Sequence, residues 1–299
     1  MNAGKRTRRM DLKDARVRGE FLDLVKDADV LVESFRPGVM ARLGLDYATL
    51  TDQNSALIYC SVSGFGAIGP LAQKAAHDLN YLSLAGAISS SARTEPAMFE
   101  TLFADNAGAL FAALTIVAAL HSRTRDARGC HIDLALADAV MPLQLFQVAT
   151  ADDAQSARSG RGHLNGGSAS YRVYATADER RVSLAAVEPR FWKAFCEAAG
   201  RPDWIPRRAE PLPQTHLIEE VAAMFWSLSL TDCERRFEPA DCCFTPVLDL
   251  RDAVNSPHVR ARGLIRRSTD GTIQPLYPAI IDCATPAPRP AMKEDERAP

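Results

Sequence analysis

The order of hydrophobic and polar positions divides the chain into alternating β-like and helical stretches. Residues 16–27 have helical spacing, ADVLVESF at 28–35 reads as a strand, and SALIYCSVSG at 55–64 reads as another. A long helix is predicted over DNAGALFAALTIVAALHSR at 105–123, then a strand at CHIDLAL and a helix through the residues after Asp138. Strands separated by helical crossovers make a parallel sheet with helices on both faces. An α/β, Rossmann-like domain is therefore predicted over residues 1–155.

From 151 to 170 the pattern turns small and polar, as in a linker or exposed loop. Beyond it, a strand at RRVSLAAV and helices at PRFWKAFCEAAG and THLIEEVAAMFWSL predict a second, smaller α+β domain over 156–270. Residues 271–299, which include TPAPRPAMKEDERAP, are expected to be extended and to return to the large domain.

With 299 residues, 47% hydrophobic and 24% charged, the chain can fill one large core and one smaller core. Its formal net charge of -2 creates no field that gathers nucleic acid or anionic lipid, so neither is an expected partner. An anionic ligand must be met by local cations instead. The longest apolar run, ALFAALTIVAAL at 109–120, falls short of a bilayer span and suits a buried helix. The opening MNAGKRTRRM is basic but lacks the apolar stretch of a secretory signal; a transit peptide stays open. Seven cysteines, an odd set without CxxC spacing and mostly in apolar runs, fit reduced thiols in a cytoplasm.

Several patterns invite chemistry that their context does not support. Gly64, Gly66 and Gly69 in SGFGAIGP match a dinucleotide fingerprint. However, Pro70 follows at once and no acidic residue stands about twenty positions on at a strand end. A turn-forming loop is the better reading. Cys242 and Cys243 are adjacent and lack a companion histidine pair, so no zinc site is expected. His121, His131, His163, His216 and His258 are scattered, and no G-x-S-x-G elbow is present.

Three residues remain with plain structural roles and possible chemical ones. His77 in HDLNY suits a helix start or a core position, and its imidazole can accept a proton near neutral pH. Asp105 precedes NAGALFAAL and is expected to cap that helix by accepting its first free amides. The same place offers dipole and N–H groups to an enolate oxygen. Glu188 follows a strand and precedes Pro189, as a helix-start carboxylate does.

Read in order, GKRTRRMDLKD, ADVLVESFRPGVMARLGLD, YCSVSGFGAIGP, AAHDLNYLSLAG, ADNAGALFAAL, LNGGSASYRVYATADERRVSLAAVEPRFW and CCFTPVLDLRDAVNSPHVRARG resemble one family. It is the CaiB/BaiF family, which contains the α-methylacyl-CoA racemases and the family III CoA-transferases. The resemblance covers nearly the entire chain. It implies a Rossmann-like domain with a smaller domain, two subunits interlocked as a homodimer, and an acyl-CoA substrate, with no metal or redox cofactor.

By the same resemblance, His77 and Asp105 are the two acid/base groups of the racemases, and Glu188 relays or orients a proton through His77. In the transferases the residue matching Asp105 is instead a nucleophile that carries an acyl anhydride and then a CoA thioester. Tyrosine usually stands there at the position of His77, so histidine followed by D-x-N-Y favours proton transfer. The CoA carrier site is implied to involve Met10, Asp11, Leu12 and Lys13; Ser34, Phe35 and Arg36; Arg42; and Ala76, Asp78, Leu79, Asn80 and Tyr81. Without the resemblance, Lys13, Arg36 and Arg42 read as a solvated basic surface.

Family members begin with a strand, a helix and a further strand ahead of the GKR...DLK segment, where this sequence begins. The resemblance therefore implies an N-terminally shortened sheet with an exposed strand edge. It also leaves open a CoA-thioester-binding protein without turnover.

Overall fold

The structure, a computed structural model, describes residues 2–88, 98–152 and 160–294. Residues 153–159 of the expected linker and 295–299 of the tail lie outside the described residues.

After a two-residue strand, β1 (Arg6–Thr7), the chain builds α1 (Ala15–Lys26), β2 (Val30–Glu33), the short helices α2 (Val39–Arg42) and α3 (Tyr47–Gln53), and β3 (Ile58–Ser63). It continues with α4 (Asp78–Leu84), α5 (Phe103–Asp126) and β4 (Cys130–Ala135). A 3-10 helix at Asp138–Gln144 then runs into α6 (Leu145–Ala149). The three strands form a parallel sheet in the order β2-β3-β4, with Val32, Cys60 and Ile132 in one register row.

Alternation along β3 decides what packs on each side. Ile58 and Cys60, with Val62, meet Ala112, Ile116 and Leu120 of α5 on one face. Tyr59 and Leu31 meet Val25 of α1, Leu50 of α3 and the intervening Met40 and Leu45 on the other. The helices are anchored by local polar chemistry. Asp14 caps α1 by accepting from Arg16 N–H at 2.8 Å and Val17 N–H at 3.1 Å. The Asn54 amide donates to the carbonyls of Val25 at 3.0 Å and Ala28 at 2.9 Å, tying α3 to the turn between α1 and β2.

The expectation that this apolar helix is buried is overturned. α5 is 24 residues long, and by length and composition it could cross a membrane, while only 22% of its most apolar stretch is buried. Its buried residues are all small: Ala104, Ala107, Gly108 and Ala112. Its opposite side leaves Leu110, Leu114 and Val117 exposed. The helix predicted at 105–123 extends two residues further at its start and three at its end, to Phe103 and Asp126.

Contacts group the described residues into two compact units, and the boundary falls after Ala169 rather than at 155. The first holds Asp11–Ala169 and Glu210–Thr215. The second contains Ser170–Ala209 and the residues from His216 onward, together with the first ten positions. It has an antiparallel sheet of β5 (Tyr171–Ala175), β6 (Arg181–Ala185) and β7 (Phe244–Pro246). That sheet packs on α7 (Pro189–Ala199), α8 (Thr215–Trp226) and α9 (Leu230–Phe237) through a core of Trp192, Phe195, Trp204, Phe225 and Phe237.

The tail groups with this second unit, not with the large domain as the sequence suggested. Two strands, β8 (Ile265–Arg267) and β9 (Ile273–Pro275), pair antiparallel. The Gln274 amide exchanges two hydrogen bonds with the backbone of Arg289 at 2.9 and 3.0 Å. Further on, β10 (Lys293–Glu294) pairs parallel with β1. All seven cysteines are free thiols, and Cys283 in the tail is exposed.

Candidate active site

The direction of α5 fixes where the candidate residues lie. Arg123 in its last turns donates to the Ala56 carbonyl at 2.9 Å and to the Asp29 carboxylate at 2.6 Å, just before β3 and β2 begin. The helix therefore runs against the strands. Its first turn, which carries Asp105, lies at their C-terminal edge, where open parallel sheets bind ligands.

α4 brings His77 to the same place. His77 is the N-cap, in an extended conformation, and its N–H donates to the Asn80 side-chain oxygen at 3.0 Å. Asn80 N–H returns a bond to the His77 carbonyl at 2.8 Å. This exchange fixes the backbone of the turn and leaves the imidazole exposed. Asp78, the next residue, is only 6% exposed, and its carboxylate accepts the N–H of Asp105 at 3.0 Å. The Tyr81 hydroxyl donates to the Ala76 carbonyl at 2.9 Å, and its ring meets Phe65 edge-on with centroids 5.4 Å apart.

Asp105 was expected to cap α5, and the structure corrects this. The N-cap is Leu102, which has no side-chain acceptor, and Asp105 stands in the first turn with its own amide held by Asp78. Among the described residues no donor reaches the Asp105 carboxylate. Burial, and then the negative charge of Asp78, push its carboxyl above the usual carboxylate range, while the charge of His77 opposes them. The residue that holds the Asp105 amide, Asp78, directly follows His77, so the two candidates stand on adjoining segments.

The glycine loop between β3 and α4 is a turn held by protein, not a phosphate cradle. Gly66 and Gly69 take positive φ of 79° and 97°, and Ala67 N–H donates to the two carboxylate oxygens of Asp133 at 3.2 and 3.0 Å. An amide already committed to a carboxylate has no place for a nucleotide oxygen.

Of the carrier residues implied by resemblance, Ser34, Phe35 and Arg36 follow β2 directly at the C-terminal edge. Phe35 is 47% exposed, and its N–H donates to the Glu33 carboxylate at 2.7 Å. Arg42 ends α2. Asp11 accepts from Lys13 N–H at 3.1 Å in the lead into α1, a helix that runs antiparallel to β2 and so begins at the same edge. Leu12 packs into the core beneath, and Leu79 is exposed beside Asn80. Lys13, Arg36 and Arg42 are exposed, and none has a carboxylate partner among the described residues.

Met10 and Glu188 belong to the second unit. Glu188 is the N-cap of α7 with Pro189 in the first helical position, and it makes no side-chain cap bond. Its charge raises the proton affinity of the Cys243 thiol, behind burial as the larger cause.

A match to the family description "CoA-transferase family III" runs from residue 1 to residue 292. The chain belongs to CoA-transferase family III. A human relative, alpha-methylacyl-CoA racemase, is 34% identical over 99% of this chain and 78% of its own length. Acetyl-CoA:oxalate CoA-transferase of Acetobacter aceti is 31% identical over 94% of this chain and 74% of its own. The crystal structure of a CaiB/BaiF family protein from Brucella suis superposes with a TM-score of 0.80 at 25% identity, covering 95% of this chain and 76% of that one. This family III member is therefore an enzyme-family protein of CoA-thioester chemistry, with both isomerases and transferases among its relatives.

Sequence reasoning missed the tie between Asp78 and Asp105 and the anchoring of the glycine loop by Asp133. The acidic residue directly after His77 was visible, but nothing local told that its partner lies 27 positions away.

Proposed function

We propose that this family III protein racemises 2-methylacyl-CoA thioesters by two-base exchange of the α-proton. A thioester acidifies the hydrogens beside its carbonyl, because the electron pair released on C–H cleavage spreads onto oxygen. Inversion then needs a base on one side of that carbon and a proton donor on the other. His77 and Asp105 supply the pair. The observation that carries this reading is the placement of an exposed imidazole and a carboxyl raised above its usual range on adjoining helix starts at the sheet's C-terminal edge.

Coenzyme A enters in this reading as part of the substrate. Lys13, Arg36 and Arg42 meet its phosphates, and Phe35 and Leu79 offer apolar surface nearby. The bases are side chains, so no metal or redox cofactor enters the reaction. We further propose a cytoplasmic homodimer, in which the uncovered Leu110, Leu114 and Val117 are buried by a second copy.

Transfer of CoA between carboxylic acids is the second reading. It is favoured by an Asp105 carboxylate that accepts no hydrogen bond from the described residues and so is open to attack a thioester carbonyl. Incubation with (2R)-2-methylacyl-CoA in deuterated water, with and without an added carboxylate, separates the readings. Deuterium at the α-carbon without an acceptor supports racemisation. CoA appearing on the added carboxylate without label supports transfer, and binding with neither outcome leaves a non-catalytic acyl-CoA-binding protein.

A further inference from the structure

We propose that Asp78 is the positioning residue for Asp105: its buried carboxylate accepts the Asp105 N–H, fixes where the Asp105 backbone sits, and sets a second carboxyl group beside that of Asp105. This rests on the reading in which Asp105 exchanges a proton or attacks the thioester.

The first amides of a helix have no intrahelical acceptor and ordinarily find one on the N-cap side chain. α5 has Leu102 there and so lacks that acceptor. Asp78 supplies it from another helix at 3.0 Å, and at 6% exposure it has little water to turn to instead. Packing of Tyr81 and Leu82 with Ala104 and Val140 keeps the two helix starts from sliding apart. The catalytic carboxyl is thus held by its own backbone, from a residue adjacent to the catalytic imidazole.

The same bond sets two carboxyl groups side by side. A like charge disfavours ionisation of its neighbour. The charges acting on Asp105 come from Asp78 and His77, both on α4, and the Tyr81 hydroxyl of that helix is affected by Asp105 in return. On the other segments beside the start of α5, Asp138 opens the 3-10 helix and Glu100 precedes α5. Removing the charge of Asp78 leaves burial alone to raise Asp105, so Asp105 then ionises at lower pH.

Acceptance of the amide and charge are separable. Asp78→Asn keeps an oxygen for the Asp105 N–H and loses the charge; Asp78→Ala loses both. We expect the limb of the kcat/KM profile for α-deuterium exchange on 2-methylacyl-CoA that follows Asp105 ionisation to move to lower pH in Asp78→Asn. In Asp78→Ala the plateau rate should also fall about tenfold or more, because the carboxyl is no longer held in place. Carbon-13 NMR titration of Asp105 in wild type and Asp78→Asn gives the same comparison without turnover.

An Asp78→Asn protein that folds yet titrates at Asp105 like wild type overturns the proposal, even if exchange is fast. A downward move in the titration of a protein that exchanges no deuterium supports the role of Asp78 and removes the proton-transfer reading instead. Should Asp78→Ala fail to fold, the Asn variant alone decides.

Discussion

The phenol of Tyr81 fills the space that a side chain at Gly64 would need, since a β-carbon there would lie 2.6 Å from its hydroxyl oxygen. The glycine loop after β3 and the helix that carries His77 are therefore in direct contact. Close packing of this kind resists even one added methyl group.

Gly64→Ala is accordingly expected to displace Tyr81, weaken its bond to the Ala76 carbonyl and shift the start of α4. The predicted cost is about 1–3 kcal/mol of stability, with a disproportionate loss of activity. Thermal denaturation and steady-state kinetics check it; an unchanged melting temperature and rate would show that the loop yields freely. Tyr81→Phe, which loses only the hydroxyl, should cost about 1 kcal/mol.

The cations at the sheet edge are predicted to act on the carrier and not on the chemistry. Single alanine substitutions of Lys13, Arg36 and Arg42 should each raise KM for an acyl-CoA by roughly fivefold, about 1 kcal/mol for a partly solvated contact with phosphate, with kcat preserved. The effect should shrink at high salt. It should also vanish for a short thioester without the nucleotide. Equal losses on both substrates would mean that these residues support the fold and not the ligand.

The second unit has its own pH dependence. Glu220 accepts from Arg207 at 2.6 Å, Trp204 Nε1 at 3.0 Å and Arg201 at 2.9 Å. The Arg207 bond first, and then that from Trp204, hold its carboxyl down at about 2. A carboxyl depressed by folding stabilises the protein above its unfolded value and loses that contribution as pH falls towards its folded value. Glu220→Gln should therefore lower the melting temperature at neutral pH, and the gap from wild type should close between about pH 4.5 and pH 2. The group is partly exposed, so the gap should be modest. A gap independent of pH in that window would contradict the ionic origin.

Much of this architecture is legible in the pattern of residues. β2, β3 and β4 are short β-rich runs between helical stretches, and α1, α5 and α7 keep helical spacing over two turns or more. What escaped has physical reasons. β7 spans only Phe244–Pro246, too short for alternation to show. The start of α5 was read at Asp105 because aspartate is a common cap. The helix in fact begins at Phe103, where the acceptor comes from Asp78 on another element. The exposed side of α5 is as apolar as a core helix, and hydrophobicity alone does not distinguish a face covered within one chain from one left open. The neighbourhood of His77 and Asp105 was expected from family resemblance, since residues 28 positions apart share no local period.

The account depends on the α-proton passing through both His77 and Asp105. The direct measurement is α-deuterium incorporation and stereochemical inversion of a single 2-methylacyl-CoA epimer in deuterated water by wild type, His77→Ala and Asp105→Asn, each verified as folded. Wild type should incorporate label and invert, and each variant should lose inversion by about a hundredfold or more. Inversion at the wild-type rate in folded Asp105→Asn would contradict the two-base route and leave Asp105 a structural residue of the α5 first turn.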